Sequence, residues 1–115
     1  MEKTLAKIVK YAAGIARPEM IILFGSMSRG TYNAFSDVDL FIVLENRSIK
    51  NDIIARLKSY SRERSLDIDV LVYTSREIKK EVEKKHSFIP WILQTGKIVY
   101  KNEKTACNVL QGMIE

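Results

Sequence analysis

The run Val38-Asp39-Leu40-Phe41-Ile42-Val43-Leu44 constrains this chain more than any other segment. It has the length of a strand, and after Asp39 it is apolar at every position, so both of its faces must be covered. It reads as the buried central strand of a sheet. The length of 115 residues, with 46% apolar and 29% charged residues, suits one domain with a packed core around that strand.

The flanking segments supply the other elements. Glu2 to Ala16 sets Leu5, Ile8, Val9, Ala12 and Ala16 at helical spacing, and Pro18 ends that helix by pushing the residue before it away from helical geometry. Met20 to Phe24 is a short apolar strand running into Gly25. The stretch from Gly25 to Asp37 allows a short helix or a wide turn, not a tight hairpin. Ser48 is expected to cap a helix from about Ile49 to Arg64, with Ile53, Ile54, Leu57 and Tyr60 on one face. Ile68 to Tyr73 gives a third strand. Thr74 with Glu77 three residues on is a capping-box pattern, opening a helix through about Lys85. Phe88 to Leu93, interrupted by Pro90, reads as a short helix, Lys97 to Tyr100 as a last strand, and Glu103 to Ile114 as a terminal helix. The expected fold class is α/β (α+β): a single domain over residues 1–115, with a small mixed sheet of about four strands flanked by helices.

Bulk properties narrow the function only a little. The net charge of +5 suits nucleotide phosphates, nucleic acid or an acidic partner alike. Cys107 is the one cysteine, so no internal disulfide forms and a reducing compartment fits. It has no neighbouring His or Cys with which to build a zinc site, and His86 closes a lysine-rich helix where a solvated position is expected. No stretch approaches the roughly 18 apolar residues of a membrane span, and the N-terminus lacks an apolar signal core, so the expected compartment is the cytoplasm.

The chemistry concentrates between Gly25 and Asp39. Side chains alternate along a strand, so Asp37 and Asp39 project to one side about 7 Å apart. Carboxylates that close repel unless a cation lies between them, and magnesium, a hard ion that takes oxygen ligands and substrate phosphates, is the natural one. Gly25 follows a strand directly, where backbone can approach a ligand closely. Ser26 can then cap a short helix whose free N–H groups bind phosphate oxygens. Arg29, one helical turn on, adds a charged donor for the same anion. Each part alone has a plainer explanation: a solvated strand entry, a strand-to-helix cap, a surface arginine. A third carboxylate is expected from a neighbouring strand. Asp69, abutting the apolar run, is favoured for it, with Asp67 in reserve on the same face.

Gly25-Ser26, ten residues, then Asp37-Val38-Asp39 and a later strand carboxylate is the pattern of a known group. On these residues, with Arg29-Gly30, Ser36 and the ending Gly96-Lys97-Ile98-Val99-Tyr100, the chain resembles the DNA polymerase beta-like nucleotidyltransferase superfamily. The likeness is to its minimal, MNT-type members and spans roughly residues 5 to 101. The resemblance implies their fold and a two-magnesium site: Asp37, Asp39 and Asp69 as catalytic metal ligands, and Gly25 and Ser26, with Arg29, at the phosphates of ATP or another nucleoside triphosphate. It implies attack of a hydroxyl on the α-phosphate with pyrophosphate leaving, in which positioning and charge carry the catalysis.

The acceptor is less visible. The sequence has no helix-hairpin-helix signature and no aromatic-basic alternation, which argues against nucleic acid as a direct substrate. Minimal members of the group commonly pair with a HEPN-type helical protein as antitoxins, which implies adenylylation of that partner on a tyrosine hydroxyl. Phe88, Ile89, Trp91 and Ile92 offer either a docking face or core packing for such a chain. Two other readings stay open: a binding antitoxin that occludes its partner without catalysis, and a small-molecule nucleotidyltransferase of the aminoglycoside-modifying kind. Homo- and hetero-oligomers are equally open.

Overall fold

The apolar run lies in the middle of the sheet. The computed structural model describes residues 3–24, 38–45, 47–84 and 89–102. Among them are helix α1 (Lys3–Ala16), strands β1 (Met20–Phe24) and β2 (Val38–Leu44), helix α2 (Lys50–Arg62), strand β3 (Ile68–Thr74), helices α3 (Ser75–Glu81) and α4 (Ile89–Thr95), and strand β4 (Lys97–Lys101). The spatial order is β3-β2-β1-β4. β1 runs antiparallel to both β2 and β4, whereas β2 and β3 are parallel. That parallel pair is joined through α2, the helical crossover that two parallel strands require. The sheet is therefore mixed, with helices on both faces, as the sequence leads one to expect.

Alternation along β2 divides the core in two. Leu40, Ile42 and Leu44 face a layer made by Leu5, Ile8, Val9 and Ala12 of α1 and by Ile53 and Leu57 of α2. Phe41 and Val43 face the opposite layer, with Ile78 of α3 and Ile89, Ile92 and Leu93 of α4. Leu40, Phe41, Ile42 and Val43 have no solvent exposure. Burying an aliphatic or aromatic side chain in this way stabilises by about 1.5–3 kcal/mol each before entropy is counted. Tyr11 of α1 stacks on Tyr60 of α2 with centroids 4.1 Å apart, and the Arg64 guanidinium covers the other side of Tyr60 at 3.5 Å.

Both long helices end in left-handed residues that are not glycine. Arg17 has φ 44° and donates its N–H to the Ala13 carbonyl at 3.1 Å, and Pro18 follows. Proline lacks the N–H that a further closing bond would use, so the helix stops there. Ser65 has φ 57°. Around it Leu66 N–H bonds to Ser61 C=O and Ser65 N–H to Arg62 C=O, each at 3.0 Å, the paired closure of a Schellman turn. This turn swings the chain from the end of α2 into β3.

Three expectations change. Ser48 is not the cap of α2: Arg47–Ile49 form a 3-10 turn, and Ile49 occupies the cap position without a side-chain bond. The tighter turn leads into the helix with its own i→i+3 bonds, so a side-chain acceptor is not required there. α3 stops at Glu81, short of Lys85, because its apolar contacts end with Ile78 and Val82 and a short charged helix does not sustain itself without them. The four residues offered as a docking face divide: Ile89 and Ile92 are wholly buried, whereas Trp91 is 42% exposed, and Phe88 lies outside the described residues. Pro90 sits in the first turn of α4, where a missing N–H costs nothing. Gly96 bonds back to Ile92 C=O at 2.8 Å, and a β-carbon there would meet that same oxygen at 2.6 Å, so the turn from α4 into β4 needs glycine. The terminal helix expected over 103–114 lies outside the described residues.

Candidate active site

Parallel pairing of β2 with β3 sets Asp39 opposite Asp69. Each is the second residue of its strand, and adjacent strands lie about 4.8 Å apart. By alternation both belong to the face of Phe41, Val43, Leu71 and Tyr73, the side covered by α3 and α4. Beyond the reach of those short helices the acids are accessible: Asp69 is exposed and Asp39 half-buried. On its other side Asp39 pairs with Phe24, the last residue of β1. One end of the sheet thus gathers the starts of β2 and β3 and the finish of β1.

Of the residues singled out in the sequence, Asp39, Asp67 and Asp69 are described; Gly25, Ser26, Arg29 and Asp37 lie outside the described residues. Chain connectivity still fixes that Gly25 follows Phe24 and that Asp37 precedes Val38. Asp67 and Asp69 together line a cavity of about 280 Å³ at the β3 edge, completed by Lys58, Ser61, Arg62, Leu66 and Ile68. The Schellman turn holds the end of α2 beside the start of β3 and so shapes this space. Lys58 and Arg62 escaped the sequence reading, which followed only the apolar face of α2. Their i,i+4 spacing on the helix leading to the Asp67–Asp69 segment was the available signal.

A second polar cluster lies at the other end of β3 and serves a different purpose. Thr74 and Glu77 form a reciprocal capping box, with Glu77 N–H donating to Thr74 Oγ1 at 3.1 Å and Thr74 N–H donating to Glu77 Oε1 at 3.0 Å. Lys50 Nζ donates to Glu77 Oε2 at 3.2 Å and lies 5.0 Å from the centre of the Tyr73 ring. Burial alone would raise the Glu77 carboxyl, but the Thr74 N–H and the Lys50 ammonium outweigh it and hold the carboxyl below its ordinary value. Burial, with Glu81 and Glu77 nearby, pushes the Tyr73 phenol up. These bonds stitch α3 to β3 and α2, away from Asp39 and Asp69.

Among the described residues no group of three or more His, Cys, Asp or Glu side chains forms a ligand set. The Asp39–Asp69 pair nonetheless suits a hard divalent cation: carboxylates on neighbouring strands, one exposed and one half-buried, offer the oxygen ligands that magnesium takes. Among the described residues no helix is long and apolar enough to cross a membrane.

Comparison with known proteins agrees with this geometry. Residues 6–105 match the Polymerase beta, Nucleotidyltransferase family. Among solved structures the chain is similar to a provisionally assigned nucleotidyltransferase from Sulfolobus solfataricus, with 23% identity over 89% of this chain and 81% of that one and a TM-score of 0.51. It is also similar to a mutant of the toxin–antitoxin MntA–HpeT, with 16% identity over 99% and 84% of the two chains and a TM-score of 0.63. A toxin–antitoxin structure with AMP-PNP gives 18% identity, 96% and 78% coverage and a TM-score of 0.58. At these identities the structures speak for the fold. No curated protein shows significant sequence similarity to the chain. A mixed sheet with opposed aspartates at one end and a family match over nearly the whole chain lead to one assignment: the chain belongs to the polymerase beta nucleotidyltransferase family and is a nucleotidyltransferase.

Proposed function

We propose that the chain is a magnesium-dependent enzyme that transfers AMP from ATP to a hydroxyl of a partner protein, acting in the cytoplasm as the antitoxin of a HEPN/MNT-type pair. The observation that carries the reading is the registration of Asp39 opposite Asp69 in a chain of this family. Asp37, Asp39 and Asp69 would hold the divalent ions, which when bound neutralise charge on the attacking and leaving oxygens of an in-line displacement. Gly25 and Ser26, following β1, would cradle the outer phosphates through backbone N–H groups, with Arg29 as a charged donor. Asp69, on the far side of Asp39 from β1, would receive the acceptor and take the proton of its hydroxyl. As the bond from that oxygen to the α-phosphorus forms, the bond to the bridging oxygen breaks and pyrophosphate departs. Likeness to two toxin–antitoxin structures over 96% and 99% of the chain, one of them with AMP-PNP, supports a reading in which a partner protein brings the acceptor.

The test is to incubate the chain with Mg-ATP and the protein encoded beside its gene, then weigh both proteins. The partner should gain one or more AMP masses, and Asp39→Asn and Asp69→Asn should each slow the gain about 100-fold or more. Equal inhibition of the partner by wild type and both variants, without a mass gain, would give the occluding antitoxin instead. Transfer only to small hydroxyl compounds would give the small-molecule enzyme.

A further inference from the structure

The cavity at the β3 edge carries two cations that the reaction described so far does not use. Lys58 and Arg62 are exposed, i,i+4 on α2, and line the same 280 Å³ space as Asp67 and Asp69. Among the described residues neither cation has an ion-pair partner, although two carboxylates share the cavity with them. The side of the sheet on which they lie is informative. Asp39 is flanked by β1 on one side and β3 on the other. In the reading above the donor phosphates lie at Gly25 and Ser26, which follow β1 in the chain, and the β3 flank is left for the acceptor.

We propose that this cavity is an acceptor subsite in which Lys58 and Arg62 bind a carboxylate that the partner protein carries beside the hydroxyl receiving the nucleotide. The inference rests on the protein-acceptor reading above and adds the acceptor's chemistry: a hydroxyl residue in an acidic peptide segment. Charge favours a peptide over a nucleic acid strand. Lys58 and Arg62 can share one carboxylate between them, whereas Asp67 and Asp69 in the same lining repel a continuous run of phosphates. Position agrees as well, since Lys58 and Arg62 line the same cavity as Asp69 across the β3 edge.

The test uses two synthetic peptides sharing the same tyrosine, serine and threonine, one with flanking glutamates and one with flanking alanines. Their binding to the full chain is followed by fluorescence polarisation in Mg²⁺ and the α,β-methylene analogue of ATP, whose α–β bridge cannot be cleaved. The glutamate peptide should bind about tenfold more tightly, and Lys58→Ala/Arg62→Ala should erase that preference while Lys58→Arg/Arg62→Lys keeps it. ATP affinity by calorimetry should not change in either variant, and circular dichroism checks that both are folded. Equal binding of the two peptides to wild type overturns the proposal. So does weakened ATP binding in the alanine variant with the peptide preference intact, which would place the cavity on the donor side. Tighter Lys58- and Arg62-dependent binding of a single-stranded oligonucleotide than of the glutamate peptide would overturn it in favour of nucleic acid. If the glutamate preference depends on both cations yet neither peptide nor partner protein gains AMP, the subsite stands and the protein-transfer reading falls.

Discussion

Asp39 and Asp69 lie on different strands, yet the parallel register sets them side by side. Like charges directly opposite on neighbouring strands are destabilising. A cation between the two acids would offset that repulsion. Without divalent ions, Asp69→Asn should melt at or slightly above the wild-type temperature. Added Mg²⁺ should raise the wild-type melting temperature and leave Asp69→Asn nearly unmoved, as a thermal scan with and without EDTA would show. A melt of wild type indifferent to Mg²⁺ up to millimolar concentration would speak against a cation at this pair. The sequence made both residues visible as candidates, since each abuts an apolar run. It favoured Asp69 and kept Asp67 in reserve, because two acids sharing a face differ only in depth along the strand. The register opposes Asp69 to Asp39 and leaves Asp67 ahead of the strand.

Individual elements were legible where local chemistry decides them. The Thr74–Glu77 capping box follows from hydroxyl and carboxylate three residues apart, and the structure contains both of its bonds. Because the Glu77 carboxyl is held below its ordinary value, its contribution is complete above the value it has in the unfolded chain, near 4.5, and is lost as pH falls through its lower folded value. Stability measured by urea unfolding from pH 6 to pH 3 should therefore drop less steeply in Glu77→Gln than in wild type. Glu77→Ala, which also removes the reciprocal bond, should cost about 1 kcal/mol at neutral pH. The end of α2 is a contrasting case. Nothing in the composition around Ser65 marks a left-handed residue, since serine is an unusual choice there and tertiary closure onto β3 imposes it. Ser65→Gly should relieve that strain and stabilise by about 0.5–1 kcal/mol, readable as a higher denaturant midpoint at unchanged slope. The cap of α2 was assigned to Ser48 for a related reason: a 3-10 lead-in has no simple sequence signal.

For the whole molecule, two apolar layers share one central strand. Phe41 is fully buried against α3 and α4, and its ring stacks on Tyr73 with centroids 5.4 Å apart. Phe41→Ala should cost about 3–5 kcal/mol. Because the adjacent residues of β2 bury into the opposite layer, the loss should be felt by both. Trp91 fluorescence, which reports α4, and far-ultraviolet dichroism, which reports all the helices, should unfold together and at the same lower midpoint; separate transitions would mean that the two layers fold independently. The sequence by itself determined the strands, the capping box, the apolar faces of α1 and α2 and the family-bearing spacing from Gly25 to Asp39. All of these depend on residues near one another in the chain, where periodicity and turn chemistry act. Strand order, the parallel register that opposes Asp39 to Asp69, and the cavity joining Lys58 and Arg62 to Asp67 and Asp69 came only with the tertiary structure. They depend on which segments meet across the sheet, and that is settled by packing both faces of β2 at once.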